Sequence, residues 1–169
     1  LSPNIGDSIY NLIDQIMIKD DIDEIGLLLS LDINMVVPDK NNTTLLIQVI
    51  RNFQYLESAV AFIPRYQDRT YLNHQDNNGM TALMYACEVS KSPGFIDDLL
   101  HNSDAFDVNL QDNDGMTALM HAIVNVKKYH VNSQFKNNVE ELFAQIHWQR
   151  VNFNLQNQHG DTAMHLAIA

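Results

Sequence analysis

Three stretches of the chain change from polar to apolar in the same order. Gln111-Asp112-Asn113-Asp114-Gly115 gives way to Met116-Thr117-Ala118-Leu119-Met120. The same change occurs from Gln75-Asp76-Asn77-Asn78-Gly79 into Met80-Thr81-Ala82-Leu83-Met84. It occurs again, degraded, from Gln156-Asn157-Gln158-His159-Gly160 into Asp161-Thr162-Ala163-Met164-His165. Each copy predicts a tight turn running straight into a helix. Glycine takes φ > 0 without steric cost, and Asn or Asp beside it favours the turn. The threonine stands where a helix N-cap belongs, its hydroxyl accepting a backbone N–H of the first turn. The small and apolar residues that follow predict a helix with one face packed closely on a neighbour.

Two fainter copies lie upstream, Gly6-Asp7-Ser8-Ile9-Tyr10-Asn11-Leu12 and Asn42-Thr43-Thr44-Leu45-Leu46, the latter without glycine. Taking Ser8, Thr43, Thr81, Thr117 and Thr162 as starts, the separations are 35 (43−8), 38 (81−43), 36 (117−81) and 45 (162−117). Four of the 6 glycines (Gly6, Gly79, Gly115, Gly160) precede a start. A second residue class keeps nearly the same phase: Asn34, Asn73, Asn109 and Asn154 lie 9, 8, 8 and 8 residues before their threonines. A period of this length implies a solenoid of supersecondary units, each burying its apolar face on the next.

Between the starts the apolar spacing is helical. Ile9, Leu12, Ile13, Ile16 and Met17 predict a first helix over 7–19. Asp21 with Glu24 reads as a capping box for a second, with Ile22, Ile25, Leu28 and Leu29. In the second unit, Leu45, Leu46, Val49 and Ile50 predict an inner helix, and Leu56, Val60 and Ile63 an outer one ending near Pro64. A longer polar connection, 65–71, follows. In the third, Pro93 opens an outer helix whose core face is Phe95, Ile96, Leu99 and Leu100. The fourth holds nine residues more than the 36 before it (45−36), placed in a polar loop over 127–138 with Tyr129, His130 and Phe135. Its outer helix reads Val139, Leu142, Phe143, Ile146, followed by Trp148. The expected units are 6–42, 43–80, 81–116, 117–161 and the half-unit 162–169. Ending inside an apolar helix, the chain is expected to be a fragment of a longer one.

The segments DGMTALMHA and GDTAMHLAIA resemble the T-P-L-H-x-A signature of ankyrin repeats. The resemblance covers about Gly6 to Ala169. It implies an all-α fold, a right-handed ankyrin-repeat solenoid with a β-turn and an antiparallel helix pair per repeat. Alanine or threonine replaces the family's proline throughout; Leu46, Met84 and Met120 replace its histidine, which only His165 keeps; Gln48 stands where a small alanine is expected.

At 169 residues and 46% hydrophobic, the chain has enough apolar surface for a sizeable core. A net charge of −11 repels a phosphate backbone, so nucleic acid is disfavoured as a partner, and a basic protein segment is favoured. The lone Cys87 excludes an internal disulfide and reads as a small buried hydrophobe on a helix. No apolar run has membrane-spanning length. The expected state is a cytoplasmic monomer without membrane attachment.

The seven histidines show neither the spacing of a zinc-protease helix nor a cysteine at zinc-finger spacing. Asp112-Asn113-Asp114-Gly115 is a faint likeness to a calcium loop, but Ile123 holds the position of the terminal glutamate. No phosphate loop or nucleophile elbow is present. No catalytic residue, metal or cofactor is expected. The acid pairs Asp97-Asp98 and Glu140-Glu141 read as solvated helix faces.

The ankyrin resemblance implies that the turn tips and inner helices line a concave groove that binds protein. Carried over by position, the tips are 39–42, 76–78, 112–114 and 157–159. Met80 and Met116 lie at their bases, and the outward row of the signature is Leu12, Ile47, Tyr85, His121 and Leu166. The candidate partner-binding residues are Ile47, Asp76, Asn78, Met80, Tyr85, Asp112, Asp114, Met116 and His121. Two readings of the apolar row stand: it tucks against adjacent hairpins, or it floors a groove with the acidic tips as rim. The 127–138 loop with Trp148 is a competing face.

The leading functional expectation is a non-catalytic protein–protein interaction module or scaffold. Its rivals are the substrate-recruiting arm of a larger enzyme or adaptor and a secreted effector acting on host proteins. The last follows from a compositional resemblance to the Asn/Asp/Ile-rich ankyrin arrays of intracellular bacteria and large DNA viruses.

Overall fold

A computed structural model describes residues 38–51, 69–89, 105–128 and 150–168, with Asn11, Gln15, Ile96, Leu99 and Leu100 as single helical positions. Five helices are described: α1 (Leu45–Arg51), α2 (Arg69–Leu72), α3 (Ala82–Val89), α4 (Ala118–Lys128) and α5 (Ala163–Ile168). No strand occurs among the described residues. The principal contacts run in chain order, α1 on α3, α3 on α4 and α4 on α5. This is the nearest-neighbour packing of a solenoid.

Each of these four inner helices begins at a threonine hydroxyl. Thr81 Oγ1 accepts the N–H of Met84 at 3.2 Å, Thr117 Oγ1 that of Met120 at 3.3 Å, and Thr162 Oγ1 that of His165 at 3.4 Å. The equivalent cap of α1 is Thr44, whose Oγ1 accepts the Ile47 N–H at 3.4 Å. The start expected at Thr43 is therefore one residue early. Thr43 instead closes the turn, as Met80 and Met116 do. Its N–H donates to Asp39 Oδ1 at 2.8 Å, and its C=O accepts the Asp39 N–H at 3.0 Å. Asn42 holds φ at 59°, replacing the glycine of the other copies, since a short polar side chain tolerates the left-handed region.

The corrected register moves three assignments. The spacing to the third unit becomes 37 (81−44), and Asn34 lies ten residues before the cap (44−34), out of phase with the other asparagines. Gln48 takes the outward position shared by Tyr85, His121 and Leu166, four residues after the cap, while Val49 takes the small-residue position. Ile47 becomes the equivalent of Met84 and Met120; it is 0% exposed and belongs to the core.

The core runs through the stack. Leu46, Ile50, Leu72, Met84, Leu99, Phe106 and Met120 are fully buried, each such side chain contributing roughly 1.5–3 kcal/mol from apolar burial. Leu99 and the buried Ile96 are helical, with Leu100 packed beside them, as the outer-helix pattern of the third unit predicts. Tyr71, on α2, is buried, and its hydroxyl accepts the Leu46 N–H at the start of α1 at 3.0 Å. Cys87 is buried, and burial pushes its thiol up to about 12, so it stays protonated and inert. Lys127 and Lys128 in the last turn of α4 complement its dipole.

Asn11 and Gln15 are helical and exposed, one turn apart. The rest of the first unit, including Ser8, Leu12 and the Asp21–Glu24 pair, lies outside the described residues. So do the outer-helix residues Leu56, Val60, Ile63, Val139, Leu142, Phe143 and Ile146, the loop beyond Lys128, and Trp148.

Candidate interaction surface

The turn before each inner helix is built around one side chain, five residues ahead of the cap. In the third unit Asp76 Oδ1 accepts the N–H groups of Asn78 and Met80 at 2.8 and 3.0 Å. Its own N–H donates to the Met80 C=O, and its C=O accepts the Gly79 N–H. Asp112 repeats the pattern with Asp114 and Met116, Asn157 with His159 and Asp161, and Asp39 with Asn41 and Thr43. A short acceptor side chain is needed here to replace the missing backbone partners of a reversing chain. The Asp/Asn-to-Thr spacing of five, present at Asp39 and Thr44, was the sequence signal that identifies the true cap of α1.

The turns are tied to one another as well. Asn113 N–H donates to the Asn78 C=O at 3.0 Å and Gln158 N–H to the Asp114 C=O at 2.8 Å, one rung per repeat. Gln75 Nε2 donates to Gly79 O of its own turn and to Gln111 O of the next, at 2.7 and 2.9 Å. Gln111 does the same with Gly115 O and Gln156 O. The asparagines in phase have a parallel task. Asn73 donates to Ala105 O and accepts from Asp107 N; Asn109 donates to Arg150 O and accepts from Asn152 N. Each holds the entry loop of the following repeat, a role that local turn chemistry alone did not reveal.

The free valence of the turn aspartate points at the helix. Tyr85 OH donates to Asp76 Oδ2 at 2.7 Å, and His121 Nε2 lies 2.8 Å from Asp112 Oδ2. Desolvation, and then the Asp76 carboxylate, push the Tyr85 hydroxyl up to about 12, so it remains a donor. The Arg51 guanidinium stands over the Tyr85 ring, 5.2 Å from its centroid, joining α1 to α3 on this face.

The nine candidate residues therefore divide. Ile47 and Met80 are core residues, and Ile47 is removed from the surface by the register correction. Asp76 is buried, and the Asp112 side chain is 6% exposed; both spend their oxygens on their own turn and on Tyr85 or His121, so neither is a rim charge. Met116 is half-buried against the core, with Asn157 Nδ2 3.6 Å from its sulfur. Asn78 and Asp114 are exposed at the tips. Tyr85 is buried with the core and His121 half-buried, beside the turns of their own repeats. Beside the row stands a residue not anticipated: Val124, three positions beyond His121 on α4 and 42% exposed.

Among the described residues no group of His, Cys, Asp and Glu is placed to hold a metal ion, and no helix is long and apolar enough to cross a membrane. Capped inner helices, phased turns and rungs between neighbours define a helical-repeat solenoid. A family model for ankyrin repeats (3 copies) matches residues 46–133, just over half of the chain. The chain belongs to the ankyrin-repeat family, whose repeats are non-catalytic protein-interaction modules. No curated protein matches it.

Proposed function

We propose that this chain binds a protein segment along the side of the stack where the turns meet the inner helices. The floor of that surface is His121, Val124 and Leu166, with Asn78 and Asp114 at the tips and Met116 at a turn base. The observation that carries the reading is Val124, an apolar side chain left exposed in the middle of the array, one turn from His121. An apolar position between polar tips suits a hot spot that a partner would desolvate. With Asp76 and Asp112 engaged internally, the preference for a basic segment rests on the net charge of −11. The expected units remain as proposed from the sequence, with the second beginning at Thr44.

The test starts from cross-linking mass spectrometry of partners captured on the purified chain. The partner's affinity is then compared for Val124→Glu and for Asp107→Ala, which alters an exposed residue on an entry loop. Val124→Glu is expected to weaken binding at least about tenfold, as loss of a hot spot does, and Asp107→Ala to leave it unchanged. Equal affinities of Val124→Glu and the parent chain would exclude this face.

A further inference from the structure

The inner helices carry a second row, one turn beyond the row four residues after each cap. Arg51, Glu88 and Val124 lie seven residues after Thr44, Thr81 and Thr117 (51−44, 88−81, 124−117). All three are exposed, although the residue before each, Ile50, Cys87 and Ile123, is buried. In stacking order they are a cation on α1, an anion on α3 and an apolar side chain on α4, with α1 packed on α3 and α3 on α4. The cation is held in position. The Arg51 guanidinium stands over the Tyr85 ring, 5.2 Å from its centroid. That ring is fixed in turn by burial and by the bond from its hydroxyl to Asp76 Oδ2. Stacking uses the flat face of a guanidinium. Its N–H donors lie around the edge, in the fork that matches the two oxygens of a carboxylate. A group ordered beforehand loses less entropy when it binds.

Resting on the binding face proposed above, we infer that this row selects an extended partner segment carrying three side chains in fixed order: a carboxylate on Arg51, a cation on Glu88 and an apolar group on Val124. Spacing decides the form of the segment. Packed helices lie roughly 8–10 Å apart. A polyproline II segment has about three residues per turn and rises ~3.1 Å per residue, so every third side chain falls on one side, about 9 Å from the last. In a β-strand, side chains three apart point to opposite faces. The segment is therefore acid–x–x–cation–x–x–apolar in polyproline II conformation, read from α1 to α4. The net charge of −11 favours basic partners in general; Arg51 makes the α1 end the exception.

The experiment selects a phage-displayed library of random peptides on the full chain, on Arg51→Glu and on Glu88→Arg. The parent chain is expected to enrich acid–x–x–cation–x–x–apolar, in either chain direction. Arg51→Glu should replace the acid by a cation, and Glu88→Arg the cation by an acid. Peptides selected on the parent should bind each charge-reversed chain at least about threefold more weakly, and peptides selected on that chain should recover the loss. Such recovery cannot come from a chain that has failed to fold. The same charge pattern selected by all three chains overturns the inference, as does the absence of any enriched peptide. Determinants spaced seven residues apart overturn it as well, because the occupant is then a helix. Val124→Glu separates the two levels. If it weakens the selected peptides while the charge reversals do not, the face stands and the charge order falls; if it too has no effect, the face falls with it.

Discussion

At the scale of single residues, the array rests on positions whose backbone demands one chemistry. Threonine at the cap supplies a hydroxyl to the third N–H of its helix. Thr117→Ala is expected to cost about 1 kcal/mol in urea titration. Thr44→Ala should cost the same, confirming which of the two adjacent threonines is the cap. The glycines separate conformation from crowding. Gly160 has φ 82° and open space, so Gly160→Ala should cost only the left-handed strain of about 1–2 kcal/mol. Gly79 has φ 75° and meets backbone of the next turn at 2.8 Å, so Gly79→Ala should cost distinctly more and loosen the third unit from the fourth. Tyr85 and Cys87 set a pH limit. Their folded-state values are pushed up from 10.0 and 9.0 to about 12, so the folded chain holds protons that the unfolded chain releases first. Stability from both is complete below about pH 9 and is lost as pH rises towards 12. Urea midpoints measured across that range should fall with pH, and less steeply above pH 10 in Tyr85→Phe.

Between elements, the coupling is polar as well as apolar. Helices α1, α3 and α4 share buried Leu, Ile and Met side chains, with Ala163 and the half-buried Leu166 of α5 packed against them; such contacts are non-directional and would tolerate sliding. The rungs oppose that freedom, because a one-residue slip would break the directional bonds from Asn113 N to Asn78 O and from Gln158 N to Asp114 O. Asn109 makes two bonds to the next repeat, to Arg150 O and from Asn152 N. Asn109→Ala is expected to destabilise by roughly 1–3 kcal/mol. Amide exchange at Asn152 should quicken more than exchange in α3, which Asn109 does not reach. A uniform acceleration along the chain would mean that the asparagine acts on the whole array and not on one junction.

Over the whole molecule, stability is a sum of repeats and their junctions. The end helix α5 has one packed neighbour among the described helices and an exposed Met164, His165 and Ile168. Its amides are expected to exchange fastest of the four inner helices, and α3, between α1 and α4, slowest. Equal protection from α1 to α5 would be incompatible with a stack coupled only through neighbours. The same linear build explains why the proposed partner surface follows a row. Each repeat offers one position four residues after its cap, and these line up as Gln48, Tyr85, His121 and Leu166.

The sequence alone determined the repeat, because turn, cap and apolar face demand particular residues at fixed offsets: Gly79, Gly115 and Gly160, the following threonines, then small and apolar side chains. It also pointed to Tyr85 and His121 as one structural row, and to Cys87 as core. The cap of α1 was misread because two threonines are adjacent and Asn42 replaces the glycine; only the bond from Ile47 N to Thr44 Oγ1 separates them. Tertiary structure decided what each side chain has left to offer. Asp76 and Asp112 look like an acidic rim in the sequence, yet a carboxylate that accepts two backbone N–H groups and pairs with Tyr85 or His121 has no surface role remaining. The asparagine phase was visible too, but its purpose lies across the repeat boundary, where Asn73 and Asn109 meet backbone more than thirty residues away. Local pattern fixes a repeat because its bonds are local; exposure is set by the neighbour, and the neighbour's contacts are not written at any single position.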